Sequence, residues 1–364
     1  MRPSRKFITQ ARVPIVLSAI GVLTLVMTGP RAAQLETIPG PSPPFVWEHR
    51  VRVEGHLALT YSPDGAFSPD GATLAIAEPE RIALVSLADG RVQSVVRPQF
   101  PAVSSLSIQS ANFVGPARLF ILASGVLEAA RHHPAAAPEL AFQWDLQQGA
   151  VAGKVSELGV GGGFLPPRYF PRIGYVALYK DGAFTVWNPV TGRAGSFKIP
   201  QLTHAPHLYA FSPDGHWLLL AQIEMNATPD PVVVELQTHQ FVNTLAGHHG
   251  PVLGMAFSRD GKSVVTACAD GNVRIYSVPD WKLIETLTGN TGPVHWAEFS
   301  PDGNWVASAG EDATVRIWSA ATGKLAQTLT ESRHPLLTVA FSPNGQYVAA
   351  SSADGVHVWA RTAE

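Results

Sequence analysis

A sequence unit that returns every 42 residues constrains the fold of this chain more than any other feature. The turn FSRDG at Phe257–Gly261 returns as FSPDG at Phe299–Gly303 and as FSPNG at Phe341–Gly345. A strand-like segment follows each turn at a similar distance and reads ADGNVRIY, EDATVRIW and ADGVHVW in the three copies. A fixed period of about 40–45 residues is typical of folds that repeat one supersecondary unit. The C-terminal part of the chain is therefore predicted to be an array of similar units.

Weaker copies extend this array toward the N-terminus. The Phe that closes the first strand of each unit marks the series, whose members are Phe67, Phe113, Phe170, Phe211, Phe257, Phe299 and Phe341. Each unit holds short segments rich in Val, Ile, Leu and aromatic residues, with turn residues between them. Seven units of four short strands predict an all-β fold, a seven-bladed β-propeller over residues 45–364.

The last unit is predicted to borrow its outer strand from the beginning of the array. It reaches Glu364 soon after its third strand, whereas Phe45–Val53 is strand-like and has no partner of its own. Pairing these two segments removes an open sheet edge and fastens both ends of the ring. The N-terminal strand is therefore expected to complete the last blade.

The first 33 residues have the layout of an export signal. Residues 1–12 carry four basic residues and no acidic one, and residues 13–28 are uncharged and mostly apolar. This apolar run is slightly long for a signal peptide and shorter than the ~20 residues that span a bilayer comfortably. Residues 1–33 are therefore predicted to be either a cleaved signal peptide or an N-terminal membrane anchor that attaches through residues 13–28.

Both alternatives predict the same location for the rest of the chain. The basic end stays in the cytoplasm, so the remainder is expected to be exported and periplasmic or extracellular. Gln34–Pro44 is rich in Pro and is predicted to be an extended linker between this segment and the propeller.

Composition narrows the classes of function. The chain is 46% hydrophobic with a formal net charge of −2, and nucleic acid is not expected as a partner because nucleic-acid binders usually show a strongly basic face. The sequence has one cysteine, Cys268, which excludes an intramolecular disulfide and thiolate-rich metal sites. Because Cys268 falls in a predicted strand, we expect a buried, inert thiol.

Two units of the C-terminal half carry a known pattern. The fifth unit contains Gly247-His248, Phe257–Gly261, Asp270 and Val273–Tyr276, and the sixth contains Phe299–Gly303, Ser308, Asp312 and Val315–Trp318. This pattern resembles the WD-repeat β-propeller family, strongly over residues 205–360 and weakly over residues 45–200. The resemblance implies a scaffold that binds other proteins, usually without catalysis.

The resemblance also implies a hydrogen-bonded set of four side chains inside a blade: a His, a Ser or Thr, the turn Asp and a Trp. The matching positions are His248, Thr266, Asp270 and Tyr276 in the fifth unit, and Asn290, Ser308, Asp312 and Trp318 in the sixth. Tyr276 departs from the expected Trp and Asn290 from the expected His. Since a buried carboxylate must be hydrogen-bonded, we interpret these residues as structural.

Catalytic and metal-binding patterns are missing from the sequence. The adjacent pairs His132-His133 and His248-His249 would point to opposite faces of a strand, and no His-Glu-x-x-His or Gly-x-Ser-x-Gly motif occurs. Asp residues in Ser-x-Asp-Gly turns are accounted for by turn formation. We therefore expect no catalytic, cofactor-binding or metal-binding residues, and no cofactor.

Three insertions suggest a binding surface. They are Glu128–Glu139 in the second unit, Gly159–Arg168 in the third and Met225–Pro231 in the fourth. Loops on a rigid scaffold tolerate variation and often carry function. The exposed candidates for partner binding are Arg131, His132, His133, Phe164 and Arg168.

The leading hypothesis is an exported, non-catalytic scaffold that binds a protein partner through propeller loops. The alternative is a propeller enzyme or small-molecule binder that uses the central channel. Such proteins need clustered acids, His or metal ligands at the channel mouth, and the sequence shows no such set at matched positions of its repeats. No motif identifies the partner.

Overall fold

Seven antiparallel sheets make up the part of the chain that this computed structural model describes. The described residues are 45–53, 66–99, 103–127, 138–160, 168–170, 172–188, 190–202, 204–222 and 230–363. Regular structure in these ranges consists of strands, and none of it is a helix able to cross a membrane. The predicted N-terminal segment and linker lie outside the described residues.

The strands are short and follow one another through tight turns. In chain order they are β1 (Phe45–Val53), β2 (Thr73–Glu78), β3 (Arg81–Ser86), β4 (Val92–Val96), β5 (Val103–Gly115), β6 (Arg118–Leu127), β7 (Pro138–Asp145), β8 (Ala150–Val160), β9 (Arg168–Phe170), β10 (Tyr175–Lys180), β11 (Ala183–Trp187), β12 (Ala194–Phe197), β13 (Leu208–Phe211), β14 (Trp217–Ala221), β15 (Val232–Glu235), β16 (Gln240–Thr244), β17 (Val252–Phe257), β18 (Ser263–Cys268), β19 (Val273–Ser277), β20 (Leu283–Leu287), β21 (Val294–Phe299), β22 (Trp305–Gly310), β23 (Val315–Ser319), β24 (Leu325–Leu329), β25 (Leu336–Phe341), β26 (Tyr347–Ser352) and β27 (Gly355–Ala363).

Each sheet is one blade of a seven-bladed β-propeller, as the repeats predict. Blades 2 to 6 are β5–β8, β9–β12, β13–β16, β17–β20 and β21–β24, each a meander of four strands. Blade 1 has β2, β3 and β4 among the described residues, and an isolated bridge from Phe67 to Leu74 marks the place of its first strand. First strands such as β13 and β21 are buried throughout, whereas fourth strands such as β12 are largely exposed. The first strand of each blade therefore faces the centre of the ring.

The marker phenylalanines close the first strands of their blades, which confirms the predicted repeat. Phe257 pairs with Val264 at the start of the second strand of blade 5, and Phe299 pairs with Val306 in blade 6. In the more divergent blade 2, Phe113 pairs with Leu119 in the same way. The predicted position of the first strand is therefore correct in this divergent blade as well.

The N-terminal strand closes the ring. β1 pairs antiparallel with β27, from Phe45 opposite Ala363 to Val53 opposite Val356, so blade 7 reads β1, β27, β26, β25. The predicted closure is thereby confirmed.

A side chain of blade 6 fastens this closing strand. Gln327 Oε1 accepts a hydrogen bond from the backbone N–H of Trp47 at 2.9 Å, and Gln327 Nε2 donates one to the carbonyl of Trp47 at 2.9 Å. The indole of Trp47 is buried in the largest apolar cluster, which also contains Phe341. β1 is therefore held by side-chain packing and hydrogen bonds as well as by its ladder with β27.

Apolar packing between neighbouring blades forms the core. Phe67 and Ile76 of blade 1 pack with Ala349 and Val358 of blade 7, so the first and last blades meet directly. The seam between blades 3 and 4 is aromatic and contains Tyr179, Phe184, Tyr209 and Phe211. The seam between blades 2 and 3 is smaller, because its cluster has five buried members: Phe120, Leu122, Ala141, Tyr169 and Val176.

Gly355 is expected to be essential for ring closure. Its φ is +133°, and a Cβ added there would lie 2.3 Å from the carbonyl oxygen of Val53. Gly355→Ala should lower the free energy of unfolding by about 3 kcal/mol or more, from backbone strain and the clash together. Denaturant unfolding measures this loss.

Gly345→Ala is the matched control. Gly345 has a φ of +68°, and a Cβ added there would meet nothing within 4 Å. Gly345→Ala should lower the free energy of unfolding by only about 1–2 kcal/mol, because its single cost is a left-handed backbone conformation. Equal losses in the two variants would contradict the proposed role of Gly355 beside β1.

Candidate functional site

The aspartates of the Ser-x-Asp-Gly turns form the turns themselves. In the turn before β18, Ser258 Oγ donates to Asp260 Oδ1 at 2.7 Å, and the N–H of Lys262 donates to the same oxygen at 3.0 Å. The same arrangement occurs at Asp70, Asp214 and Asp302. These carboxylates are therefore accounted for by local hydrogen bonds.

A buried ion pair anchors the turn that follows the second strand of blade 5. Arg274 Nη2 lies 2.8 Å from Asp270 Oδ2, and the side chains of Arg274 and Asp270 are 4% and 8% exposed. Burial would raise the pKa of Asp270, but hydrogen bonds from Arg274 and from the N–H groups of His249 and Asn272 outweigh it and lower the pKa to about 2. Asp312 and Arg316 repeat this pair in blade 6.

The four predicted residues of blade 5 do not form one continuous network. His248 Nε2 lies 2.8 Å from Thr266 Oγ1, as the resemblance implies, but His248 Nδ1 is 2.9 Å from Asp230 rather than bonded to Asp270. The hydroxyl of Tyr276 donates to the carbonyl of Ala246 at 2.9 Å. Tyr276 bonds the backbone because its hydroxyl lies at a different place from the ring N–H of a Trp.

In blade 6 the predicted residues are connected. Trp318 Nε1 donates to Ser308 Oγ at 2.9 Å, and Ser308 Oγ lies 3.5 Å from Asn290 Oδ1. Arg316 Nη1 donates to Asn290 Oδ1 at 3.0 Å and to Asp312 Oδ2 at 2.5 Å. All four side chains are thus joined inside the blade, with Arg316 as a fifth member that the sequence reasoning missed. Its signal was visible, since Arg follows the turn Asp by four positions in both blades.

Cys268 has a structural environment as well. The residue is buried, its Sγ donates to the carbonyl of Gly250 at 3.1 Å, and burial raises the pKa of its thiol to about 12. The expected burial is confirmed. Within the described ranges, no three His, Cys, Asp or Glu side chains are grouped so that they could hold a metal ion.

The expectation that Arg168 is an exposed loop residue is wrong. Arg168 begins β9, is 5% exposed and donates to the carbonyl of Tyr209 in blade 4 at 2.7 Å. Its guanidinium also lies 5.5 Å from the ring centroid of Tyr209 and 5.6 Å from that of Trp296. The insertion ends before Arg168, and the inner strand turns its side chain into the ring.

Side chains of blade 3 reach across the centre of the ring. Trp296 belongs to the inner strand of blade 6, which lies opposite blade 3 in a ring of seven, so the contact with Arg168 spans the centre. Arg172, just after β9, donates to the carbonyl of Phe257 in blade 5 at 3.1 Å. The side chains of Arg168 and Arg172 therefore occupy part of the centre of the ring.

The other candidate binding residues lie outside the described residues. These are Arg131, His132 and His133, between β6 and β7, and Phe164, between β8 and β9. Their assignment to a partner-binding surface stays a prediction.

A cleft opens between blades 2 and 3 at the outer side of the ring. It has a volume of about 470 Å³ and is lined by Arg118, Phe120, Phe142, Gln143, Ala152, Gly153, Trp187, Val190, Thr191 and Gly192. We call it cleft 2/3. Phe120 and Trp187 have ring centroids 6.1 Å apart. Phe120 is fully buried, so the cleft presents one aromatic ring, Trp187, together with a cationic residue, Arg118.

A β-bulge and small residues create this space. Gln143 of β7 pairs with Ala152 of β8, whereas Ala141 pairs with Ser156, so β8 bulges between these points. Gly153 lies in the bulge with a φ of +82°, and a Cβ added there would meet nothing within 4 Å. Outer strands with longer side chains would fill this volume. A Gly inside a strand pattern, as in AVAG at Ala150–Gly153, is the sequence signal that could have predicted the bulge.

A second cleft lies on the other side of blade 2, between it and blade 1. Cleft 1/2 has a volume of about 530 Å³ and is lined by Ser68, Pro69, Asp70, Thr73, Leu84, Gln93, Phe113, Pro116 and Leu146. Both clefts open beside turns that join first to second strands or third to fourth strands. We call the surface that carries these turns the turn face. It is opposite the face that carries the turns between second and third strands.

The Asp270–Arg274 pair is expected to stabilise blade 5 strongly. Asp270→Asn leaves the buried guanidinium of Arg274 without a charged partner and should lower the free energy of unfolding by about 3–5 kcal/mol. Asp280→Asn, at an exposed turn of the same blade, should stay within about 0.5 kcal/mol of the parent. Chemical denaturation of both variants measures the difference, and equal small losses would contradict a structural role for Asp270.

Stability is expected to fall with acid because of His248. Burial lowers the pKa of His248 below its ordinary value of 6.5, so the unfolded chain takes up a proton first as the pH falls. The melting temperature should therefore drop between pH 6.5 and pH 5. In His248→Gln this drop should be smaller, whereas the exposed neighbour variant His249→Gln should keep it. An unchanged profile in His248→Gln would refute this assignment.

Comparison with protein families agrees with the geometry of blades 5 to 7. The family model described as WD domain, G-beta repeat matches residues 239–277, 281–319 and 323–359. Each match takes the outer strand of one blade and three strands of the next. A search of curated proteins gives no match. With the ring of seven antiparallel blades, these three repeats support a WD-repeat β-propeller.

Proposed function

We propose that this propeller is an exported, non-catalytic scaffold that binds a protein partner through its turn face. The observation that carries the proposal is that cleft 1/2 and cleft 2/3 lie on either side of blade 2. WD domains generally mediate protein–protein interactions. Clefts are preferred places for binding on a rigid scaffold.

The use of polar side chains elsewhere in the ring supports a scaffold rather than an enzyme. Asp270, Asp312 and His248 have their hydrogen-bonding groups committed within the blades. The centre of the ring holds Arg168 against Trp296. An enzyme that used the channel would need acids or metal ligands aimed into open space there, and the described residues offer no observation that favours this alternative.

The basic and apolar N-terminal segment supports export. Residues 1–12 are basic and residues 13–28 apolar, which is the arrangement read by export machinery. In this proposal the partner is a protein outside the cytoplasm. Fractionation of cells that produce the full chain should recover the propeller in the periplasmic, extracellular or membrane fraction, and recovery in the cytosol would refute export.

The binding surface can be tested by cross-linking of the full chain to proteins of the envelope fraction. A photo-cross-linking amino acid placed at Gln148, in the exposed β7–β8 turn of blade 2, should capture a specific protein that mass spectrometry identifies. The same group at Thr322, in the corresponding turn of blade 6, should not capture it. The comparison is an unrelated propeller of similar charge, which should not capture that protein. Cross-links confined to blades 5 and 6, or no specific protein, would overturn the proposed surface.

A thermal-shift screen tests the non-catalytic part of the proposal. The full chain should show no large, saturable shift with divalent metals, quinones or sugars. Such a shift would instead favour an enzyme or small-molecule binder.

A further inference from the structure

We infer that cleft 2/3 binds an extended, acidic segment of a partner protein by taking in one aromatic side chain and pairing a neighbouring carboxylate with Arg118. This inference rests on the proposed scaffold function and names the chemistry of the partner at one site.

The cleft has the size and walls for one large side chain with part of its backbone. Its volume of about 470 Å³ lies within the ~300–1,000 Å³ of typical binding pockets. Strand β8 contributes the small residues Ala152 and Gly153, which leave the space open. An incoming ring would thus contact the partly exposed Trp187 and these two small residues.

Buried aromatic side chains pack behind Trp187, the partly exposed ring of the cleft. The ring centroids of Phe120 and Tyr169 are 4.8 Å apart, and those of Phe120 and Trp187 are 6.1 Å apart. Phe120 is fully buried, whereas Trp187 is only partly buried. Aromatic rings prefer tilted or offset neighbours at these separations, so a partner ring placed against Trp187 would extend the cluster.

The charge at the cleft favours an acidic partner. The side chain of Arg118 is 56% exposed, and its Nε forms a loose ion pair with Asp145 Oδ2 at 3.9 Å, which is too long for a direct hydrogen bond. Asp145 uses its other oxygen to accept the N–H groups of Gln147 and Gln148, both at 2.9 Å. Arg193, next to the lining residue Gly192, is also exposed. The guanidinium of Arg118 can therefore turn its fork toward a carboxylate of the partner.

Val190 indicates a chain segment rather than a small molecule. It lines the cleft and is 69% exposed, more than any other large hydrophobic residue reported for the described ranges. A small ligand enclosed in the cleft would leave this apolar side chain in water. A peptide that continues out of the cleft beside the β11–β12 turn would cover it.

The test uses fluorescein-labelled peptides of the sequence Gly-Ser-Asp-Phe-Asp-Ser-Gly with the full chain, measured by fluorescence polarisation. The parent peptide should bind saturably. Replacing its Phe by Ala, or both Asp residues by Lys, should weaken binding by about tenfold or more, since one anchor and one charge pair carry most of the affinity. Added salt should weaken the parent peptide as well.

Variants of the protein locate the site. Arg118→Glu should weaken binding by about tenfold or more, whereas Arg118→Lys should keep most of it because the charge remains. Lys324→Glu makes the same charge change at an exposed turn of blade 6 and should bind like the parent. Equal binding by Arg118→Glu and Lys324→Glu would overturn the inference.

Filling the cleft gives a second, independent readout. Ala152→Trp should abolish peptide binding while the melting temperature stays close to that of the parent. Ala321→Trp, at the exposed third turn of blade 6, controls for an added indole. If Ala152→Trp unfolds the protein, the decision rests on the Arg118 variants. Peptide binding that survives a folded Ala152→Trp variant would overturn the site.

The outcomes separate this inference from the proposed function. A specific partner cross-linked to the turn face, together with no peptide binding, overturns the peptide chemistry and leaves the scaffold. Peptide binding at cleft 2/3 without any captured protein supports the cleft and overturns the scaffold. Competition by phenylacetate as strong as that of the unlabelled peptide would identify a small-molecule site and overturn the peptide occupant.

Discussion

The pairing of β1 with β27 is the contact on which the rest of the ring depends. The two ends of a propeller are fastened to each other when both termini share one blade, and here Phe45–Val53 lies along Gly355–Ala363 over its full length. The pairing needs close approach of two backbones, which Gly355 permits at Val53. Gln327 then ties the closing strand to blade 6, so that opening the last blade would disturb its neighbour as well.

The two halves of the ring are held by different physical means. Blades 5 and 6 use buried Asp–Arg pairs and side-chain hydrogen bonds, while the seam between blades 3 and 4 is filled by aromatic rings. Hydrogen bonds contribute to this seam as well, because Arg168 donates to the carbonyl of Tyr209 and the hydroxyl of Tyr209 donates to the carbonyl of Ala177. The thin seam between blades 2 and 3 leaves the volume that becomes a cleft.

Particular residues show where sequence reasoning succeeded and where it failed. The marker series from Phe67 to Phe341 predicted all seven blades because similar turn and strand residues recur in each unit, at intervals of 41 to 57 residues. Arg168 was misplaced, since a basic residue after a Gly- and Pro-rich run reads as loop, and its burial depends on Tyr209 and Trp296 in other blades. Asp230 was missed as the partner of His248 because no local motif links positions 18 residues apart.

The sequence by itself determined the repeat, the number of blades and the strand that closes the ring, because these follow from local periodicity and from one unpaired segment. Only the tertiary structure decided which polar groups meet across blades and where space remains. Cleft 2/3 arises from a bulge in β8 beside a turn of blade 3. Packing between blades brings Arg118 near Trp187, and residues that far apart in the chain leave no shared pattern in the sequence.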